Sequence, residues 1–153
     1  MKDDTRLRRW IERISFLLIV GSVSALAFPK YESLEREKVA AQLLSDVEVL
    51  RTAVYRFYSD SAYFPEATPQ DPAPDNLVAY LPPTFRFERP YGSLRYRNWP
   101  MRDTTTGTTA PHVVGVTVSV GDARIGAMAA AKAPQRTARF AVGNRYTFIF
   151  FGT

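Results

Sequence analysis

Residues 14–28 read ISFLLIVGSVSALAF, an apolar stretch without a charged side chain. This is shorter than the roughly 20 residues of a simple membrane span, but Trp10 and Ile11 extend its apolar character toward the N-terminus. On the far side, Tyr31 has the amphipathic ring that favours a membrane–water interface. We therefore predict a transmembrane helix over residues 14–30.

The predicted membrane anchor has two alternatives. One is a cleaved signal peptide, with Ser24 to Ala27 as a weak cleavage site, and the other is a buried helix of a soluble protein. The helical pattern continues beyond Pro29, which favours a retained anchor.

The charges on the two sides of the apolar stretch predict its orientation. The basic side chains concentrate in residues 1–13, and acidic ones follow the stretch: Lys2, Arg6, Arg8, Arg9 and Arg13 against Glu32, Glu35 and Glu37. The positive-inside rule then places the N-terminus in the cytoplasm.

Residues 31–63 have the apolar spacing of an amphipathic helix that continues the anchor. Pro29 predicts a kink between the two parts because it lacks a backbone donor, and Pro65 ends the pattern. The charged residues, Asp46 among them, fall mainly outside the apolar stripe. The stripe follows i, i+3 and i+4 spacing through Val39 or Ala40, Leu43, Leu44, Val47, Leu50, Val54, Phe57 and Tyr58.

Residues 64–153 predict a small antiparallel sheet that covers this stripe. A proline-rich connection with one short turn of helix near residues 75–80 comes first. Strands are expected at 85–88, 93–98, 112–120 and 145–151, with a turn at 90–92 between the first two. A short alanine-rich helix through Ala131 begins after Asp122, a suitable N-cap residue. The predicted fold class is α+β, a long N-terminal transmembrane-plus-amphipathic helix packed against the sheet.

Composition narrows the function classes. The chain has 153 residues, no cysteine and a formal net charge of +5. The absence of cysteine excludes disulfides and thiolate metal sites. Basic and aromatic residues interleave in one segment, which suits either a nucleic-acid face or, as we favour, a half-buried hairpin with its arginines toward water. The segment contains Arg86, Arg89, Arg95, Arg97 and Arg102 among Phe85, Phe87, Tyr91, Tyr96 and Trp99.

No catalytic constellation is visible. The single histidine, His112, has no cysteine or second histidine beside it. The carboxylates have no accompanying base or phosphate loop, and a calcium site from Asp60, Asp71 and Asp75 has loose spacing. We therefore predict a non-enzymatic protein without cofactor, metal, nucleic acid or small-molecule substrate.

In the N-terminal third, Glu12 precedes the apolar stretch, Gly21 lies within it, and Pro29 and Tyr31 follow as proline-x-tyrosine. On these residues the chain resembles type IV pilin-like proteins, including the pseudopilins of type II secretion. In that family a glutamate near the processing site precedes an apolar run with a glycine and then proline-x-tyrosine. Glu12, Gly21, Pro29 and Tyr31 occupy those positions in one ungapped register. The later segment AVYRFYSDSAYFP also looks like the end of a pilin helix. The resemblance extends in architecture over the whole chain, and it implies a bacterial inner-membrane protein with a periplasmic C-terminal domain.

The processing site departs from the family pattern. Leu7 and Arg8 stand where the family has glycine and then phenylalanine or methionine, so a prepilin peptidase is expected not to cut. Glu12 then has no new terminal amine as partner, and Arg8 and Arg9 on its own helix are its alternative partners. The resemblance implies a structural subunit of a secretion or pilus-type assembly, with membrane lipid and other membrane-helix subunits as partners. The alternative is an accessory subunit of a respiratory, photosynthetic or transport complex.

Overall fold

The computed structural model describes residues 4–68, 70–102, 109–135 and 137–151. The chain divides into two compact units, Met1–Arg36 and Glu37–Thr153. The first unit consists of helix alone in its described part. The elements in chain order are α1 (Asp4–Ser61), α2 (Asp75–Val78), β1 (Glu88–Arg89), β2 (Gly92–Arg102), β3 (Thr109–Val120), α3 (Ala123–Lys132), β4 (Ala138–Val142) and β5 (Arg145–Phe151).

Five antiparallel strands form one sheet in the order β1-β2-β3-β5-β4. The predicted α+β class is confirmed, and β5 begins and ends where the sequence placed it. One strand prediction was wrong, and one strand was missed. The strand expected at 85–88 is reduced to Glu88–Arg89, and Phe85 and Phe87 make an edge-to-face ring contact in the preceding loop. The strand β4 was not predicted, because all five of its residues are exposed and show no alternation.

The core of the second unit lies between α1 and one face of the sheet. The buried helix residues recur at helical spacing and meet Leu94, Tyr96, Val116 and Phe148 of the strands. They are Ala40, Leu43, Val47, Leu50, Ala53, Val54 and Phe57. The stripe is thus largely confirmed, with two corrections. Tyr58, predicted within it, is exposed and stacks on Phe64, whereas Asp46, predicted outside it, is buried.

The connection after α1 is held by hydrogen bonds to β2. Helix α1 ends before Ala62, whose φ of 62° breaks the helical path. The Tyr96 hydroxyl and the Asn98 side-chain amide both donate to the carbonyl of Pro65, each at 2.9 Å. The Tyr96 amide donates to the carbonyl of Pro72 at 2.7 Å. These bonds supply donors to the carbonyls of Pro65 and Pro72, since proline has no backbone N–H to donate.

Helix α3 begins as the sequence predicted. The Asp122 side chain accepts a hydrogen bond from the Arg124 amide at 2.9 Å, which is the N-cap arrangement. Gly126 faces the ring of Tyr146, and a Cβ at Gly126 would lie 2.1 Å from that ring. The Tyr146 hydroxyl donates to the Ala123 carbonyl at 2.8 Å. The missing side chain of Gly126 therefore lets α3 sit directly on β5.

Candidate functional site

The residues that carry the pilin resemblance all lie on α1. The side chains of Glu12, Gly21 and Pro29 are outside the described residues, while Tyr31 is exposed. The helix passes through Pro29 without a break in its assignment, and the kink there stays a prediction. No contact among these residues is described.

The N-terminal unit presents large apolar side chains to its surroundings. Trp10, Phe16 and Tyr31 are each about two-thirds exposed, at 66%, 68% and 66%, and Ile14 and Leu34 are about half exposed, at 48% and 49%. Isolated exposed apolar residues are common, but several large ones along one helix are typical of a surface that another molecule covers.

The predicted span at residues 14–30 is only partly within the described residues, since the side chains of 17–29 are outside them. Within the described part of the chain, no helix has both the length and the apolar character needed to cross a membrane.

A buried ion pair joins α1 to the first hairpin. Asp46 accepts from the Arg89 guanidinium and from the Tyr91 hydroxyl, each at 2.7 Å, one on each carboxylate oxygen. Burial and the hydrogen bond to Asp46 raise the pKa of Tyr91 above its usual range. Among the described residues, Nε of Arg89 is buried without a hydrogen-bond partner. Because both carboxylate oxygens are occupied, this cluster holds the helix to the sheet rather than offering a free reactive group.

The spacing of α1 contained the signal for this pair. Asp46 lies three residues after Leu43 and four before Leu50, both of which are buried, so it belongs to the apolar stripe. A carboxylate at such a position requires a partner. The identity of that partner depends on the contact with β1, which spacing along the helix does not reveal.

Arginine side chains converge on the opposite face of the sheet, which we call the outer face. Strand register places Arg95 beside Thr117 and Ser93 beside Ser119, with Arg145 as the next neighbour of Ser119 on β5. These residues and Arg97 line a concavity of about 170 Å³. Burial lowers the pKa of the Arg97 guanidinium, and the positive charges of Arg95 and Arg145 lower it further. We call this group of lining residues the arginine pocket.

The aromatic residues of the same segment divide between the two faces of the sheet and the loop before it. Trp99 lies on the outer face with Arg95 and Arg97, and the Phe85 ring centre lies 5.3 Å from the Arg89 guanidinium carbon. Tyr91 and Tyr96 are buried, at 4% and 1% exposure, on the core side of β2. Arg95 and Arg97 are half-buried on the other side, as alternation along a strand requires. The expected half-buried hairpin is present in part, because β1 has only two residues and Arg89 pairs with Asp46 instead of pointing to water. Tyr91 and Tyr96 are buried and offer no stacking surface for bases.

The described residues contain no group of three or more histidine, cysteine or acidic side chains able to hold a metal ion. The calcium alternative thus gains no support from Asp60, Asp71 and Asp75. Asp60 instead accepts a hydrogen bond from the Tyr80 hydroxyl, and this bond raises the pKa of Tyr80. His112 lies in β3, with its side chain outside the described residues.

Comparison with known proteins adds no relative: no protein-family model, curated protein or solved structure matches the chain.

Proposed function

We propose that the chain is a membrane-anchored, non-enzymatic, pilin-like structural subunit of a secretion or pilus-type assembly in the bacterial inner membrane. The observation that carries the proposal is the difference between the two parts of α1. Residues from Ala40 to Phe57 bury an apolar stripe against an antiparallel sheet, whereas Trp10, Phe16 and Tyr31 keep large apolar side chains exposed. A helix of this kind needs a second environment for its N-terminal part, and lipid or neighbouring helices supply one.

The proposed topology follows from charge and apolar pattern. Residues 14–30 lie in the bilayer, the basic residues 1–13 lie in the cytoplasm, and residues 64–153 lie in the periplasm. Glu12 then lies near the cytoplasmic boundary of the membrane, where it attracts a cation from a partner helix or from Arg8 and Arg9 of its own helix. Gly21 allows a neighbouring helix to approach closely.

The register of the resemblance is tested by restoring the processing site. We expect the double substitution Leu7→Gly and Arg8→Phe to permit cleavage by a prepilin peptidase, detected as loss of an N-terminal tag and a matching fall in mass. The matched control, Leu7→Ala with Arg8→Phe, lacks the glycine and is expected to stay intact. If the first variant stays uncut in a host that cuts its own prepilin, the register loses its support.

A second candidate function is favoured by one specific feature. Because Leu7 and Arg8 replace the residues that a peptidase requires, the chain would keep its N-terminal segment. Such a chain suits an accessory subunit that docks on another integral-membrane complex, with its domain on the periplasmic face. If Glu12 pairs with a cation of the native partner, Glu12→Ala weakens the association under either function. An unchanged association would assign Glu12 to its own arginines.

A further inference from the structure

We propose that the arginine pocket on the outer face of the sheet binds a phosphate group. This inference is independent of the proposed anchor and assembly, because it rests only on the second unit. It assigns a ligand class to a surface for which the pilin-like role supplies no use.

The first support is the charge of the lining. Arg95 and Arg97 of β2 and Arg145 of β5 line one concavity, and Arg95 is in register with Thr117 of β3. None of the described lining residues is acidic. Arg95 and Arg97 are two residues apart on β2, and Arg145 lies on β5, with β3 between the two strands. Burial, and after it the positive charges of Arg95 and Arg145, lower the pKa of Arg97, so the three cations repel one another. An anion held between them would reduce that repulsion.

The second support is the set of donors. A guanidinium presents a planar fork that pairs with two oxygens of a phosphate at once. The hydroxyls of Ser93 and Ser119 add donors to the lining. Thr117 and Thr147 share a hydrogen bond of 3.0 Å between their hydroxyls, and either one can donate. If buried Thr147 donates, the proton of Thr117 is directed to a ligand.

The third support is size. The concavity of about 170 Å³ holds about six waters at roughly 30 Å³ each, which leaves room for one phosphate with its five heavy atoms. A carboxylate offers fewer oxygens and less charge to the same guanidinium groups. A nucleic acid needs a longer basic track and stacking rings. Tyr91 and Tyr96 are buried in the core, and Trp99, which follows Arg97 on the outer face of β2, is half-buried and does not line the concavity.

The ligand has two sources that share this chemistry, free phosphate and the headgroup of an anionic lipid. The test is isothermal titration calorimetry on the full chain in a nonionic detergent, with inorganic phosphate in one arm and glycerophosphoglycerol in the other. We expect saturable binding at one site per chain. Tighter binding of inorganic phosphate assigns the free ion, and tighter binding of glycerophosphoglycerol assigns a lipid headgroup.

The variants separate a built site from general positive charge. We expect Arg97→Gln and Arg145→Gln to weaken binding by about tenfold or more, since each removes a charge-assisted hydrogen bond. Arg97→Lys keeps the charge without the fork and is expected to lie between wild type and Arg97→Gln. The matched control, Arg86→Gln, removes the same charge from an exposed loop position and is expected to bind as wild type does.

Thermal unfolding gives a readout that does not depend on heat of binding. At low salt without phosphate, we expect Arg97→Gln to unfold at a higher temperature than wild type, because repulsion is relieved. Added phosphate should raise the unfolding temperature of wild type and leave that of Arg97→Gln unchanged. The proposal is overturned by absence of binding in both arms, by an equal loss in Arg86→Gln, or by destabilisation of Arg97→Gln without phosphate. Binding of a single-stranded oligonucleotide without binding of either small ligand would also overturn it, in favour of a nucleic-acid surface.

Discussion

Replacement of Asp46 by asparagine is expected to destabilise the second unit while preserving the shape of the side chain. The carboxylate accepts from Arg89 through one oxygen and from Tyr91 through the other, at 2.7 Å each. Asparagine carries only one acceptor oxygen, so one of the two donors loses its partner. The guanidinium of Arg89 also loses its neutralising charge at a position where Nε already lacks a partner among the described residues.

The magnitude follows from burial. Removing one member of a buried ion pair costs about 3–5 kcal/mol. The side chains of Asp46 and Arg89 retain 10% and 20% exposure, so some solvent screening remains and we expect about 2–3 kcal/mol. An unfolding entropy of roughly 2.1 cal/mol/K per residue, taken over residues 37–153, gives about 0.25 kcal/mol/K. The midpoint of thermal unfolding should therefore fall by about 10 °C.

The assay is thermal unfolding of the full chain in detergent, followed by near-UV circular dichroism, which reports the packing of aromatic rings. The control is Glu48→Gln, which removes an exposed carboxylate paired with Arg51 at 3.2 Å on the same helix. That change should cost less than about 0.5 kcal/mol. A midpoint for Asp46→Asn within about 2 °C of wild type would refute the reasoning, because the pair would then contribute nothing despite its burial.

Two further predictions follow from the packing of the second unit. Gly126→Ala should destabilise by about 1–3 kcal/mol in chemical unfolding, because its Cβ would lie 2.1 Å from the Tyr146 ring, whereas Gly121→Ala, with open space around it, should change little. A Gly126→Ala protein as stable as wild type would mean that the ring moves freely. Burial raises the pKa of both Tyr91 and Tyr96, so the stability that they contribute is fully present below pH 10.0 and is lost as the pH rises above it. In a spectrophotometric titration these two tyrosines should ionise only together with unfolding, and their ionisation in the folded protein would contradict the assigned burial.

The sequence predicted the elements whose signals are local. The cap at Asp122, the final strand and the helical stripe each depend on residues within a few positions of one another, and the structure has them. The edge strand β4 was missed because its residues alternate neither in polarity nor in burial. Strand β4 forms because it pairs with β5, and the residues of β4 alone carry no signal of that pairing.

The two polar clusters show why sites were harder to predict than elements. Arg95 and Arg97 can be placed on one face from their spacing alone. Arg145 joins them only because β5 lies next to β3 in the sheet order, a long-range property of the fold. Asp46 and Arg89 likewise meet across the helix–sheet contact. Local periodicity indicates which side chains need partners, and tertiary packing decides which partners they obtain.

Our proposal that α1 anchors the chain in a membrane assembly is tested by extraction of native membranes with a mild detergent. The extract is sized, and the proteins that migrate with the chain are identified by mass spectrometry. We expect the chain to appear in the membrane fraction and to migrate in a large complex with secretion or pilus-type subunits. Migration in a stoichiometric complex of another kind would support the accessory-subunit function instead. Recovery of the chain in the soluble fraction as a free monomer would mean that α1 is not a membrane anchor.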